Sequence, residues 1–134
     1  MKQVNQEFVP RVLPILVGTT VDFPNMDPFF HNVFSYSKTK KFDLGRYAEG
    51  HSKSVTFNKP GIVRVFCEIH SNMLAHIIVL EQPYFTLTEQ DGSFRISDVP
   101  PGEYDLHIWQ ENAPEQVKHV MIPDQKVYVV EVQK

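Results

Sequence analysis

Proline and glycine punctuate this sequence, and the stretches between them favour short strands over helices. Ten prolines and six glycines are spread over the 134 residues, and few segments have the apolar spacing of an amphipathic helix. Short runs rich in Val, Ile, Phe and Tyr stand between turn-forming Gly, Pro, Asn and Asp residues, which is the pattern of β-strands. The sequence therefore predicts an all-β fold.

The predicted strands fall into two groups, one before and one after Pro83. Those before it are "RVLPILVG", "TTVDF", "NVFSYS", "SVTFN", "IVRVFC" and "LAHIIVLE"; those after it are "YFTLT", "SFRIS", "EYDLHIW", "VKHVMI" and "VYVVEVQ". The stretch "EQDGS" is a hairpin signal. Residues 38–53, which are rich in lysine, are predicted to form an irregular solvated loop; a docking patch for an acidic partner is the alternative.

Charge divides the chain at the same place. Residues 1–81 carry nine Lys/Arg and seven Asp/Glu, whereas residues 82–134 carry four and nine, within a net charge of −3. We therefore predict two sections, 1–81 and 82–134. A sequence pI of about 6.0 does not favour binding to nucleic acid. A single cysteine excludes an intramolecular disulfide framework.

The first residues are predicted to be a strand and not a signal peptide. The apolar run in "MKQVNQEFVPRVLPILVG" is broken by Pro14 and lacks a small-residue cleavage site. No apolar stretch approaches the roughly 18 residues that a transmembrane helix requires. If the natural protein is exported, we expect that its signal has been removed.

The single cysteine lies in a short run of potential metal ligands, "FCEIHSNM". Cys67, His70 and Met73 follow one another at intervals of three residues. Thiolate and thioether are soft ligands and imidazole is borderline, a combination that suits copper. The alternative is a buried cysteine at the end of a strand, with Met73 packed in the core.

An electron-transfer copper site of this kind needs a second histidine. The candidates are His31, His51, His76, His107 and His119. His31 is preferred because it follows a strand and loop about 36 residues before Cys67. The other four are predicted to be ordinary loop or strand histidines.

These segments, "VDFPN", "HNVFS" and "GIVRVFCEIHSNMLAHIIV", resemble the cupredoxins, the blue (type 1) copper proteins, and among them the amicyanin-like and plastocyanin-like members. The resemblance spans roughly residues 5–81. It implies a Greek-key β-sandwich that holds one type 1 copper ion near one end. His31, Cys67 and His70 would form the trigonal plane, and Met73 would be the weak axial ligand. Asn32 would brace the ligand loops by hydrogen bonds, with simple turn chemistry as its alternative.

The same resemblance implies an electron-transfer protein of the periplasm or another extracytoplasmic space. Electrons would pass to transient redox partners through the edge of His70. The candidate docking patch consists of Met26, Pro28, Phe29, Phe30 and Leu74, and the alternative for this cluster is the protein core. We expect no enzyme activity, since no Ser/His/Asp or paired-carboxylate grouping can be defended. A dinuclear copper centre is excluded because it would need two cysteines. A structural zinc site is disfavoured because methionine is a poor zinc ligand.

The second section resembles the carboxypeptidase-regulatory-like or transthyretin-like β modules. The match is "TLTEQDGSFRISDVPPGEYDLHIW", within residues 84–109. It implies a structural or interaction module that forms a C-terminal antiparallel β extension. The strand pair that usually opens such modules is missing here. We therefore expect the section to pack on the first one or on a second chain, with a homodimer as one possibility.

Two other functions stay open at the level of sequence. A copper-delivery or sequestration protein would use the same ligands. An adhesion or assembly module would carry the copper site incidentally.

Overall fold

The computed structural model of the chain describes residues 1–124 and 128–132. Regular structure in these ranges consists of strands: β1 Lys2–Val4, β2 Glu7–Val9, β3 Val12–Leu16, β4 Thr19–Pro24, β5 His31–Ser35, β6 Phe42–Tyr47, β7 Ser52–Phe57, β8 Gly61–Phe66, β9 Leu74–Leu80, β10 Gly102–Ile108 and β11 Gln116–Ile122. No helix occurs within the described ranges. The predicted all-β class is confirmed.

Strands β3 to β9 form a two-layer sandwich. One layer is a five-stranded sheet in the order β3-β9-β8-β5-β6, in which β3 is parallel to β9 and the other neighbours are antiparallel. The other layer holds the antiparallel pair β4 and β7. Between β3 and β8 the chain crosses from one layer to the other four times, which agrees with the predicted Greek-key sandwich. Pro14 lies in β3, an edge strand, where a missing N–H is tolerated.

Alternating side chains from both layers fill the space between them. Phe23 on β4 and Phe57 on β7 pack in one cluster with Val63 on β8 and Ile77 on β9, and all four are almost fully buried. Burying a side chain of this size contributes roughly 1.5–3 kcal/mol. The core therefore fixes both layers, including the ends of β5 and β8 that carry the predicted ligands.

The N-terminal residues form a hairpin and not a single strand. Strands β1 and β2 pair in antiparallel fashion through a turn in which Asn5 and Gln6 have φ angles of 54° and 57°. Two left-handed residues in succession are characteristic of a tight type I′ hairpin. A bridge between Gln3 and Asn25 holds this hairpin against the loop that leads to His31.

The prediction of an irregular loop over residues 38–53 is wrong, because this stretch contains β6. Phe42 and Leu44 alternate with polar residues and pack against the core, while β6 pairs with β5. The lysines and the glycine masked this alternation in the sequence.

Two strands predicted in the second section, at 84–88 and 93–97, are also wrong. The structure has no strand between β9 and β10, although the predicted turn does form, with the Glu89 N–H donating to the carbonyl of Ser93 at 2.8 Å. These residues are largely exposed and lack a partner strand to complete their hydrogen bonds. The strand predicted at 127–133 lies partly outside the described residues, and residues 128–132 are not in a strand.

The C-terminal antiparallel extension is the hairpin β10–β11, paired from Gly102↔Ile122 to Ile108↔Gln116. Just beyond β10, the chain contacts the sandwich. Arg11 makes a bidentate ion pair with Glu111, with both N···O distances at 2.7 Å. The ring of Trp109 packs on that of His76, with centroids 5.0 Å apart. The second section thus touches the sandwich at the edge formed by β3 and β9.

Candidate metal centre

The ends of β5 and β8 position the predicted ligands. Cys67 continues the inward-facing row of Val63 and Val65 one step beyond β8, and its side chain is buried. His31 opens β5, on the same face as Val33, and is fully buried. His70 lies on the loop between β8 and β9 and is partly exposed. Strand periodicity therefore directs the thiol and one imidazole into the same end of the sandwich.

The three side chains converge closely enough to share an ion. The Nδ1 atoms of His31 and His70 are 3.0 Å apart, and the Cys67 Sγ atom lies 3.7 Å from the first and 3.9 Å from the second. These atoms all lie within 4.8 Å of one another. Among the described residues, they are the one group of His, Cys, Asp and Glu side chains so arranged.

Met73 joins the same region through strand register. The β8–β9 ladder ends at Phe66↔Leu74, so one further pair in this register sets Met73 across from Cys67. Met73 is buried on the inner face, in the row of Ala75 and Ile77. Its N–H donates to the carbonyl of His70 at 3.0 Å, which closes a turn between these two predicted ligands.

Asn32 links β5 to the ligand loop. The Glu68 N–H donates to its Oδ1 atom at 2.7 Å, and this contact defines the orientation of the amide. The Cys67 thiol reaches the same oxygen at 3.5 Å. Asn32 is itself buried. The side chain thus connects the strand that carries His31 to the segment that carries Cys67.

Asp27 is a buried residue of the site that the sequence analysis did not single out. Its Oδ2 atom lies 2.7 Å from the Nε2 atom of His31. The N–H groups of Asn5 and Gln6 donate to the same carboxylate at 2.7 and 3.0 Å. Burial raises the pKa of Asp27, but the hydrogen bonds from His31, Gln6 and Asn5 together hold this pKa below its ordinary value.

A further buried polar network involves Tyr47, Gln3 and Asn25. Tyr47 donates to the carbonyl of Phe23 at 2.6 Å and accepts from Gln3 Nε2 at 3.2 Å. Asn25 donates from Nδ2 to the carbonyls of Tyr47 and Phe29. Burial, with a smaller contribution from the nearby Cys67, raises the pKa of Tyr47 to about 12, so this hydroxyl keeps its proton.

An exposed phenylalanine, Phe29, contacts both histidines of the cluster. The ring of Phe29 lies 5.2 Å from that of His31 and 5.3 Å from that of His70. Of the predicted docking patch, Met26, Pro28, Phe29 and Phe30 are exposed and Leu74 is half-buried. Ile69, which the sequence analysis missed, is also exposed beside His70. The alternative that this cluster is core does not describe the four exposed members.

The remaining histidines lie elsewhere. His51 is exposed, and His107 and His119 pair with Glu115 and Asp105 on the β10–β11 hairpin. His76 is buried in β9 against Trp109, and burial lowers its pKa. None of these four belongs to the cluster of His31, Cys67 and His70.

The donor set fits one type 1 copper ion. It offers a thiolate and two imidazoles, with a thioether across from the thiolate by register, which is the combination typical of blue copper sites. The tight packing of the sandwich around the buried donors keeps them together.

Comparison with solved structures places this fold among the cupredoxins. The Cu-containing nitrite reductase from Thermus scotoductus SA-01 is 32% identical over 61% of this chain, with a TM-score of 0.57, but the match covers only 22% of that enzyme. A reduced mutant of amicyanin is 21% identical over 59% of this chain and 78% of its own, with a TM-score of 0.56. The predicted cupredoxin β-sandwich is therefore confirmed as the fold of this protein.

The second section matches a family model that is not a cupredoxin model. Residues 81–130 match the family model described as polysaccharide lyase family 4, domain II. The predicted carboxypeptidase-regulatory-like identity of this section is not confirmed. The comparison with curated proteins gives no match. Throughout the described ranges, no helix has the length and apolar character needed to cross a membrane.

Proposed function

We propose that this protein is a type 1 copper electron-transfer protein, with His31, Cys67, His70 and Met73 as the ligands. The observation that carries the proposal is the convergence of His31, Cys67 and His70 at the end of a cupredoxin sandwich. Bound copper supplies one-electron chemistry by cycling between Cu(I) and Cu(II). The residues of the chain hold the donors, exclude water and provide a route to the surface.

Burial of the donors supports a carrier function. His31 and Cys67 have 0% and 2% of their surface exposed, so little water has to reorganise around them. Asn32 contacts the Cys67 thiol through its Oδ1 atom, and Asp27 contacts His31 through its Oδ2 atom, so each of the two donors has a buried polar partner. Rigid ligands of this type change little between oxidation states, which favours fast electron exchange.

The exit route is the partly exposed edge of His70. The patch around it, Met26, Pro28, Phe29, Phe30 and Leu74, is apolar and small, which suits transient redox partners with interfaces below about 1,200 Å². We propose these partners as donor and acceptor, in the periplasm or another extracytoplasmic space. Homodimerisation through the second section, and the division of the chain at residues 81 and 82, stay predictions.

The patch can be tested without knowing a partner, because two copies of a carrier exchange electrons with each other. We expect Phe30→Asp to slow electron self-exchange in a mixture of oxidised and reduced protein, measured by NMR line broadening. Like charges would then face each other when two patches meet. Val117→Asp, on the exposed face of β11, is the control and leaves the rate nearly unchanged. Equal rates in both variants would place the docking surface elsewhere.

The similarity to a nitrite reductase does not extend its activity to this chain, since it covers less than a quarter of that enzyme. We propose a carrier and not an enzyme. A delivery protein is the main rival, and it requires easy release of Cu(I). Reversible voltammetry together with slow loss of copper to a Cu(I) chelator supports the carrier. Irreversible voltammetry with rapid transfer to the chelator supports delivery.

A further inference from the structure

Asp27 stands on the side of His31 that faces away from the metal cluster. The Nδ1 atom of His31 points toward Cys67 and His70, and its Nε2 atom lies 2.7 Å from the Asp27 carboxylate. A carboxylate oxygen at this position can only accept, so the Nε2 atom carries the proton and donates it. The Nδ1 atom then presents its lone pair to the cluster.

The N-terminal hairpin holds the carboxylate in place. The amides of Asn5 and Gln6, both in the left-handed region, form a small anion-binding nest with N···O distances of 2.7 and 3.0 Å. From within the loop, the N–H of Asp27 donates to the Asn25 Oδ1 atom at 2.9 Å. Asp27 is 3% exposed, so water does not replace these contacts.

We propose that Asp27, fixed by the Asn5–Gln6 turn, is a positioning residue that keeps His31 in the Nε2–H tautomer and favours Cu(II) over Cu(I). The part concerning copper rests on the proposed function. A carboxylate partner raises the electron density and the ligand strength of an imidazole. The more highly charged Cu(II) gains more from this density than Cu(I), so the pair lowers the reduction potential.

The first test compares Asp27→Asn with Asp43→Asn. The control removes the same charge from an exposed carboxylate on β6. We expect Asp27→Asn to weaken Cu(II) binding roughly 10- to 100-fold, with a smaller loss for Cu(I). Each tenfold difference between the two losses raises the midpoint potential by about 59 mV. An unchanged potential in Asp27→Asn, with lowered thermal stability alone, would reduce Asp27 to a structural residue and overturn the proposal.

The second test needs neither copper nor a variant. Two-bond ¹H–¹⁵N correlation spectra of the wild-type apo-protein report which nitrogen of His31 carries the proton. We expect the Nε2–H tautomer, with a slowly exchanging proton. An Nδ1–H tautomer would overturn the proposal whether or not Asp27→Asn folds. Failure of the wild-type protein to form a blue copper site would instead refute the proposed function, and would leave the tautomer result to stand by itself.

Discussion

Cys67 and His31 reach the same place because each continues the alternation of a strand. Cys67 follows β8 directly and continues its inward row, and His31 opens the inward row of β5. This period of two is visible in the sequence. The prediction that His31, Cys67 and His70 meet came instead from the spacing of the ligand types and from the resemblance to the cupredoxins, because His70 lies on a loop that this alternation does not reach.

Asp27 could not be found in the same way. Its connection to His31 is local, four residues along the chain, but its burial depends on the amides of Asn5 and Gln6 more than 20 residues away. A turn with two left-handed residues has no strong signature when neither residue is glycine. The available signal was an acidic residue in "NMDPFFH", four residues before the predicted ligand His31.

At Asn32, removal of the side chain should destabilise the apo-protein. Asn32→Ala leaves the Glu68 N–H without its acceptor in a part-buried position, at a cost of about 1–3 kcal/mol. Urea unfolding followed by fluorescence measures this change. Asn58→Ala, at an exposed position, serves as the control and should stay within about 0.5 kcal/mol of wild type. Equal stability of the two variants would show that Asn32 does not brace the ligand loop.

At the scale of elements, the sequence predicted most of the strands that have a partner strand in the structure, including β10 and β11. Strands β3, β4, β5, β7, β8 and β9 stand close to their predicted positions. The strand β6 was missed because lysines surround it and Gly45 interrupts its pattern. Segments 84–88 and 93–97 have the composition of strands but no partner, and pairing is a property that a local pattern does not contain.

The packing of β8 against β9 and the opposite layer gives a second prediction. Ile77→Ala removes a fully buried side chain and should lower the free energy of unfolding by about 2–5 kcal/mol. Ile62→Ala, on the neighbouring strand β8 but 42% exposed, should cost far less. Chemical denaturation of both apo-variants measures the difference. A cost for Ile62→Ala that equals the cost for Ile77→Ala would contradict the assignment of inner and outer faces.

At the scale of the whole molecule, two contacts join the second section to the sandwich. The Arg11–Glu111 pair is bidentate, but Arg11 is about half exposed, and such a pair contributes about 0–1 kcal/mol. The contact of His76 with Trp109 is more sheltered. The sequence analysis predicted that the second section packs on the first one or on a second chain, but it did not identify this contact.

His76 should make stability depend on pH. Burial lowers its pKa below the ordinary 6.5, with Arg64 and Arg11 adding to this effect and Glu111 opposing it. The unfolded chain therefore binds a proton more readily than the folded one. The contribution of neutral His76 to the free energy of unfolding is fully present above pH 6.5 and is lost as the pH falls below 6.5.

The measurement is the free energy of unfolding of the apo-protein at pH 7.5 and 5.5. Between pH 7.5 and pH 5.5, we expect the free energy of unfolding to fall less in His76→Gln than in wild type. His51→Gln, at an exposed histidine, should retain the wild-type loss. The Arg11–Glu111 pair does not interfere in this range, because its hydrogen bond and charge hold the pKa of Glu111 below 4.5. Identical slopes for His76→Gln and wild type would contradict the burial of His76.

The central claim is that the cluster of His31, Cys67 and His70 binds one type 1 copper ion. The most direct test is titration of purified apo-protein with Cu(II), followed by visible absorption and EPR. We predict an intense thiolate-to-copper band and a narrow copper hyperfine splitting that saturate at one equivalent and disappear in Cys67→Ser. A pale, weakly absorbing copper species, or no bound copper, in the wild-type protein would contradict the claim.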